Sequence, residues 1–225
     1  MKLGLSFWGI AHAAIRNRDY RHCWPHIKTD FIDPFIAQGH EVKLYLSVYH
    51  FDDNNNEKEF YDLVKPDRVK FSHYPHQMAK IEAFDNFVDD VDAIVFTRFD
   101  AHWRRTLAHE NIDYAKFNFL CKEWECWYDG RRYTNDNVYV IPTKFIPQAR
   151  KAMEETIVNY ANTHDLLRHL EKYIDEKDMH YISDEHELSD LNSFYSLCRE
   201  RDNNHFVNPS KHQYLHPLVK ERFYN

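Results

Sequence analysis

The strongest constraint on this chain is the alternation in its first hundred residues. Short apolar runs take turns with stretches of helical period. "KLGLSFWG" (2–9) reads as a buried strand, and from Trp24 onward Ile27, Phe31 and Phe35 recur at helical spacing, with Gly39 placed as a helix C-cap. "EVKLYLSVY" (41–49) is a second strand. The polar loop opening "FDDNNNEKEF" (51–60) runs into a short helix ending near Val64, and "DRVKFSHY" (67–74) is a third, weaker strand. In residues 76–90 and just beyond, Ile81, Phe84, Val88 and Val91 fall on one stripe, so a helix hands over directly to a fourth strand at 92–97. Parallel strands need such crossovers, so the pattern predicts an α/β fold: a mainly parallel central sheet flanked by helices.

Beyond residue 100 the texture changes. Residues 101–135 are aromatic and charged without a clean period, "NVYVIP" (137–142) is a strand stopped by Pro142, and Ile146, Ala149, Met153, Ile157 and Tyr160 predict a long amphipathic helix. "THDLLRHLEKYI" restarts a helix after a Thr163 N-cap, and a last helix is expected at 186–199. With 225 residues, no repeats and no linker, one domain is expected, its C-terminal part helical.

Composition removes several function classes. The chain has four glycines and contains neither GxGxxG nor GxxxxGK[ST], so neither a dinucleotide-type phosphate loop nor a P-loop is available. A net charge of −7 with scattered Lys and Arg argues against nucleic acid as a partner, because phosphate neutralisation needs a concentrated basic face. Cys23, Cys121, Cys126 and Cys198 show no CxxC spacing and fit buried thiols in a reduced compartment. No stretch is apolar enough to span a membrane and no cleavage site follows the N-terminus, so a soluble cytoplasmic protein is expected. Neither HExxH nor GxSxG occurs, and His73, His76, His102 and His109 read as ordinary polar surface residues.

The feature with chemistry in it is "DAIVFTRFDAHW" (92–103), an apolar strand ending in Arg98 and Asp100. Ligands of open α/β sheets sit beyond the carboxyl ends of the strands. In extended backbone, residues i and i+2 face the same side, so guanidinium and carboxylate converge. An arginine fork suits a phosphate, and a carboxylate suits a divalent metal or a sugar hydroxyl. The plainer reading is an ion pair that ties a loop to the strand end.

The order of elements, with "TRFD" closing the fourth strand, resembles a glycosyltransferase of the GT-A type, specifically viral and bacterial surface-glycan transferases with an R-x-D version of the DxD motif. The matching pieces are Lys80 in "QMAKIEAF", Arg98 and Asp100 in "FTRFD", and Asp136 in "NDNVYVIPTKFI". The resemblance covers roughly residues 1–160 and implies a single GT-A-like domain over 1–225. Residues 1–100 would form its nucleotide-binding half, and 101–225 the acceptor half with C-terminal helices. It implies transfer of a sugar from a nucleotide-diphosphate-sugar donor to a glycan or glycoprotein acceptor, with Mn²⁺ or Mg²⁺ on Asp100. The chain departs from the usual motif in carrying Arg98 where the first acid stands, so the metal would rest on Asp100 alone and Arg98 would contact phosphate.

Other groups fit that scheme. His12, Arg16 or Arg18 after the first strand would lie near the nucleotide, or simply open the first helix. Asp52 and Asp53 would reach a base or ribose, or form a solvated acidic loop. Lys80 would stand at the pocket rim or on the surface. "CKEWECWYDGRRY" (121–133) combines Trp124 and Trp127, which would stack on a sugar, with Glu123, Glu125 and Asp129. Asp136, Glu125 and Asp129 are the candidates for deprotonating an acceptor hydroxyl. An aromatic mini-core is the alternative for that segment. Asp184, Glu185 and Glu187 would complete the site or favour a helix N-terminus. The competing functions are a glycan-binding module and a metal-dependent nucleotidyltransferase or phosphoesterase.

Overall fold

The structure, a computed structural model, describes residues 1–10, 12–13, 18–49, 54–71, 80, 83–84, 90–122, 134–135, 137–158, 166–183 and 194–197. Strand β1 (Lys2–Ile10) opens the chain, followed by a two-residue ladder of β2 (His12–Ala13) and β3 (Arg18–Asp19). Helix α1 (Tyr20–His26) is capped by Asp19, whose carboxylate accepts from the Arg21 N–H at 2.9 Å. It passes through a wide π-type turn (Ile27–Ile32) into α2 (Asp33–Ala37). The expected continuous helix is thus broken into three pieces. Pro25 and Pro34 each lack the N–H that the ladder needs, and the π turn lies between them. Gly39 closes α2 at φ +83, a conformation open to glycine, and its N–H bonds the Ile36 carbonyl at 2.9 Å.

Then come β4 (Glu41–Tyr49), α3 (Asn54–Val64), β5 (Arg68–Phe71), β6 (Ala93–Arg98), β7 (Ala101–Trp103), β8 (Phe117–Phe119) and β9 (Val138–Pro142). The chain continues with α4 (Ile146–Val158), α5 (Leu166–Leu170), β10 (Met179–Tyr181) and β11 (Tyr195–Leu197). Among the described residues, the central sheet has seven strands in the order β10-β8-β9-β6-β1-β4-β5. Its neighbours are parallel except where β9 meets β6 and β8. The mainly parallel α/β sheet read from the sequence is what the chain forms.

Side-chain parity explains why the strands read as unbroken apolar runs. Leu3, Leu5 and Phe7 of β1, Ala93 and Val95 of β6, and Val138 and Val140 of β9 face one core, with Phe31 and Phe35. Trp8, Ile94, Phe96, Tyr139 and Ile141 face the other, with Phe84 and Met153. A sheet covered on both faces needs no polar alternation. Strand β6 is buried along its whole length.

Two expectations fail in the C-terminal part. The described residues of the last predicted helix, Tyr195–Leu197, form a strand that pairs antiparallel with β7. The backbone of β7 supplies hydrogen-bonding partners that a helix would not use. Among the described residues, the helix expected after residue 163 covers Leu166–Leu170 and then gives way to a turn. Among the described residues no helix is long and apolar enough to cross a membrane. Cys23 and Cys121 are buried thiols outside any disulfide.

Candidate functional site

The sheet order reverses at β1. Moving outward on one side the chain lays down β4 and β5, and it then returns to place β6 on the other side. The carboxyl ends of β1 and β6 therefore flank the switch point where open α/β sheets hold ligands. The residues there are Trp8 and Arg98, direct register partners across the two strands.

The parity that puts Ile94 and Phe96 on one face puts Arg98 there too. Its guanidinium carbon lies 5.3 Å from the centre of the Trp8 ring. Lys80 reaches the same ring with its ammonium 4.3 Å from the centre. Lys80, Ala83 and Phe84 are helical, and the i,i+4 spacing sets Lys80 over Trp8 while Phe84 stacks on Phe96 at 5.4 Å. Trp8 and Phe96 stack in turn, at 6.1 Å and 20°. Two cations on one indole make a cation–π arrangement that holds positive charge at the strand ends. Lys80 is 1% exposed, so it is neither a rim nor a surface residue.

Beyond Arg98 the chain turns sharply. The Phe99 N–H bonds the Trp8 carbonyl at 3.0 Å, and the Phe99 ring crosses to the other core, where it lies parallel to Trp24 at 6.2 Å. Asp100 then comes back to Arg98. Nε donates to Oδ1 at 2.6 Å and Nη2 to Oδ2 at 2.7 Å, a two-toothed ion pair with both residues buried. The convergence expected from i and i+2 is present, and its immediate product is the ion pair itself.

The start of β9 is shaped by asparagines that the sequence reading passed over. Asn135 Oδ1 accepts from the N–H groups of Asn137 and Val138 at 3.0 and 3.1 Å, shaping the turn into β9. The amide groups of Asn135 and Asn137 both donate to the Tyr195 hydroxyl at 2.8 Å. Strand β11 is thereby tied to the start of β9, beside the end of β6. The signal available in the sequence was the pair of asparagines around Asp136, immediately before an apolar run.

Of the residues singled out in the sequence, Lys80, Arg98 and Asp100 come together. His12 lies in β2 and Arg18 in β3, and only their backbone is described. Arg16, Asp52, Asp53, Glu123, Trp124, Glu125, Trp127, Asp129, Asp136, Asp184, Glu185 and Glu187 lie outside the described residues. His102 differs from its reading as a surface residue: it is half-buried, with its ring 4.2 Å from that of His26. Burial, followed by the neighbouring His26, pushes its imidazole down to about 4.

No family model matches the sequence, and neither does any curated protein. Solved structures do match in shape. The galactosyltransferase LgtC in complex with donor and acceptor sugar analogs is 12% identical, with a TM-score of 0.50 over 80% of this chain and 73% of that one. An active-site mutant of LgtC gives the same score and identity over 80% and 72%. A 4-diphosphocytidyl-2C-methyl-D-erythritol synthase from Anaerococcus prevotii is 8% identical, with a TM-score of 0.48 over 81% and 87%.

The fold is GT-A-like. At these identities the likeness is one of architecture, and the chemistry has to be argued from the residues.

Proposed function

We propose that the protein is a glycosyltransferase, moving a sugar from a nucleotide-diphosphate-sugar donor to a glycan or glycoprotein acceptor. The observation that carries this reading is the pair of cations, Arg98 and Lys80, gathered on Trp8 at the switch point of a GT-A-like sheet. In the reaction the bond between the anomeric carbon and the terminal phosphate oxygen breaks. An acceptor oxygen bonds to that carbon, its proton passes to a base, and a nucleoside diphosphate leaves. Charge grows on the diphosphate as the bond breaks, and fixed cations in a water-poor site stabilise it.

The expected Mn²⁺ or Mg²⁺ is a poor match to the described residues. Both Asp100 oxygens accept from the Arg98 guanidinium, and Lys80 adds a second cation on the shared indole. A hard dication wants several oxygen ligands, about six for Mg²⁺. We therefore assign the electrostatic role to Arg98 and Lys80, with Asp100 holding the Arg98 fork in orientation. Asp136, Glu125 and Asp129 are the proposed bases, His12, Arg16 and Asp52 the proposed nucleotide contacts, and the 121–133 segment the proposed acceptor platform.

A thermal-shift and calorimetric panel of UDP, GDP, CDP and their sugars, with and without Mn²⁺, tests the proposal. Stabilisation by one nucleoside diphosphate, followed by release of that diphosphate from its sugar conjugate on adding acceptor, supports it. Binding of glycans with no nucleotide effect would identify a glycan-binding module instead. Turnover of phosphoesters or nucleoside triphosphates would identify a phosphoryl or nucleotidyl enzyme.

A further inference from the structure

A cluster of metal-competent side chains lies apart from the Arg98–Asp100 pair. His26 ends α1, Asp30 follows four residues later in the π turn, and His102 projects from the centre of β7. Their ligand atoms all lie within 4.8 Å of one another, and all three residues are half-buried. His26 Nδ1 is 3.4 Å from Asp30 Oδ2, and the two imidazoles meet edge to face at 4.2 Å. The geometry points to a divalent metal site of the zinc type formed by His26, Asp30 and His102, clamping α1 to β7. This inference is independent of the reaction proposed above.

The donor set selects the metal. Two imidazoles and one carboxylate suit Zn²⁺ and its late first-row neighbours, whereas Mg²⁺ and Mn²⁺ prefer all-oxygen shells. Bonds of about 2.0–2.2 Å in a tetrahedron put ligand atoms roughly 3.3 Å apart. Closing from 4.8 Å to that spacing is within the reach of small side-chain rotations. The carboxylate is also oriented from outside, as metal ligands usually are. The single Thr29 hydroxyl proton is within reach of both Asp30 Oδ1 at 2.9 Å and the Pro25 carbonyl at 3.0 Å, and when it is donated to Oδ1 it leaves Oδ2 on the His26 side.

Such a metal would do structural work next to the switch point. Trp24 of α1 already lies on Phe99, inside the Arg98–Asp100 turn, and β7 begins one residue after Asp100. A metal between α1 and β7 would fix both flanks of that turn. Three protein ligands leave a position for water, so the affinity should fall below that of a closed four-ligand site.

Co²⁺ is the spectroscopic probe, and Zn²⁺ is measured by competition. Wild-type protein freed of metal by chelation should bind one Co²⁺ with the strong visible absorption of four- or five-coordinate cobalt. One equivalent of Zn²⁺ should abolish the band, and Zn²⁺ should raise the melting temperature. His26→Gln, Asp30→Asn and His102→Gln should each lose the band and weaken Zn²⁺ at least tenfold. His109→Gln, a histidine outside the cluster, should retain both. The inference is overturned if cobalt gives only the weak absorption of the hydrated ion. It is equally overturned if the band survives in the His26 and His102 variants, which would place the metal on others of the chain's 16 histidines. Far-UV circular dichroism of each variant separates loss of ligands from loss of fold. If any variant is unfolded, wild type is treated with a histidine-directed acylating reagent with and without Zn²⁺, and peptide mass mapping of the protected residues decides: protection of His26 and His102 supports the site, and protection confined to other histidines overturns it.

Discussion

Trp8 and Arg98 are register partners on adjacent parallel strands, and the Arg98 guanidinium lies 5.3 Å from the Trp8 ring centre. The relationship couples fold to chemistry. Trp8 takes its place because the β1 side chains alternate between two cores, and Arg98 because β6 alternates in the same register. A guanidinium buried on an indole keeps its charge and loses much of its hydration, and under the proposed function a donor phosphate would meet it beside the Asp100 carboxylate that balances it.

The buried Arg98–Asp100 pair can be structural, functional or both, and a paired substitution separates these. Removing one member of a buried pair strands the other and typically costs about 3–5 kcal/mol, so Asp100→Ala is expected to lower the melting temperature markedly. Replacing both by apolar residues, Arg98→Met with Asp100→Leu, should restore part of that loss, because the two opposite charges are removed together. Nucleotide-sugar turnover should be absent in the single and in the double variant. Thermal melts and diphosphate release decide it: a stable double variant with wild-type turnover would reduce the pair to a strap between strand and loop. Arg98→Lys should keep the charge but lose the fork, and is expected to lower kcat/KM by at least tenfold.

Lys80 gives a cleaner probe of the anion field, since Lys80→Met keeps the packed stem and removes the ammonium. The fold should survive, with a melting temperature lowered by the loss of a buried ammonium. Nucleoside diphosphate affinity should drop by about tenfold or more, and the variant should show a weaker dependence of binding on salt. Isothermal titration at two ionic strengths reads both effects.

How much of this was legible beforehand follows from periodicity. The strands from Lys2–Ile10 to Ala93–Arg98 were readable because a strand covered on both faces is an apolar run of strand length. The meeting of Arg98 and Asp100 was expected from parity, although Asp100 reaches Arg98 through the turn that follows β6 and not on extended backbone. The burial of Lys80 did not, because a helix's amphipathic stripe says nothing about which of its polar neighbours meets an aromatic at a strand end. The His26–Asp30–His102 cluster joins residues 76 positions apart at its extremes (102 less 26), and no spacing rule spans that distance. Tyr195 was misread because strand β11 depends on β7 for its hydrogen bonds, a tertiary influence that overrides local helical signals.

Gly4 is required by contact, not by backbone angle. A Cβ built there would sit 2.8 Å from the Tyr45 ring, which is buried and has little room to turn. Gly4→Ala gains about 0.4–1 kcal/mol from a less flexible unfolded chain, but overpacking of this kind costs about 1–3 kcal/mol. The net should be destabilising, lowering the melting temperature by a few degrees. Tyr45→Leu in the same chain should relieve part of it, and a melting series of wild type, both single variants and the double variant measures the coupling.

Tyr195→Phe removes the acceptor shared by Asn135 and Asn137 while leaving the ring on Trp103. Two buried amides lose a partner, and the expected cost is about 1–3 kcal/mol. The loss should be local. Hydrogen exchange at 195–197 and 137–138 is expected to quicken, with the centre of β1 unchanged, because the ring stays packed on Trp103 and only the polar tie between β11 and β9 is lost.

Glu155 on α4 gathers the Lys172 ammonium at 2.8 Å, the Tyr173 hydroxyl, and His169 at 3.4 Å. The bond from Lys172, then that from Tyr173, hold its carboxyl down at about 2 against an ordinary 4.5. A carboxylate depressed in the folded state contributes stability above its unfolded value, and loses it as pH falls through the folded one. The contribution should therefore be complete above about pH 4.5 and fade towards about pH 2. The site is solvent-accessible, so the effect is expected to be modest and to shrink with added salt. Glu155→Gln should melt below wild type at pH 6–7, with the gap between the two curves narrowing steadily as the pH is lowered from about 4.5. A gap that stays constant over that range would show that Glu155 contributes packing without charge.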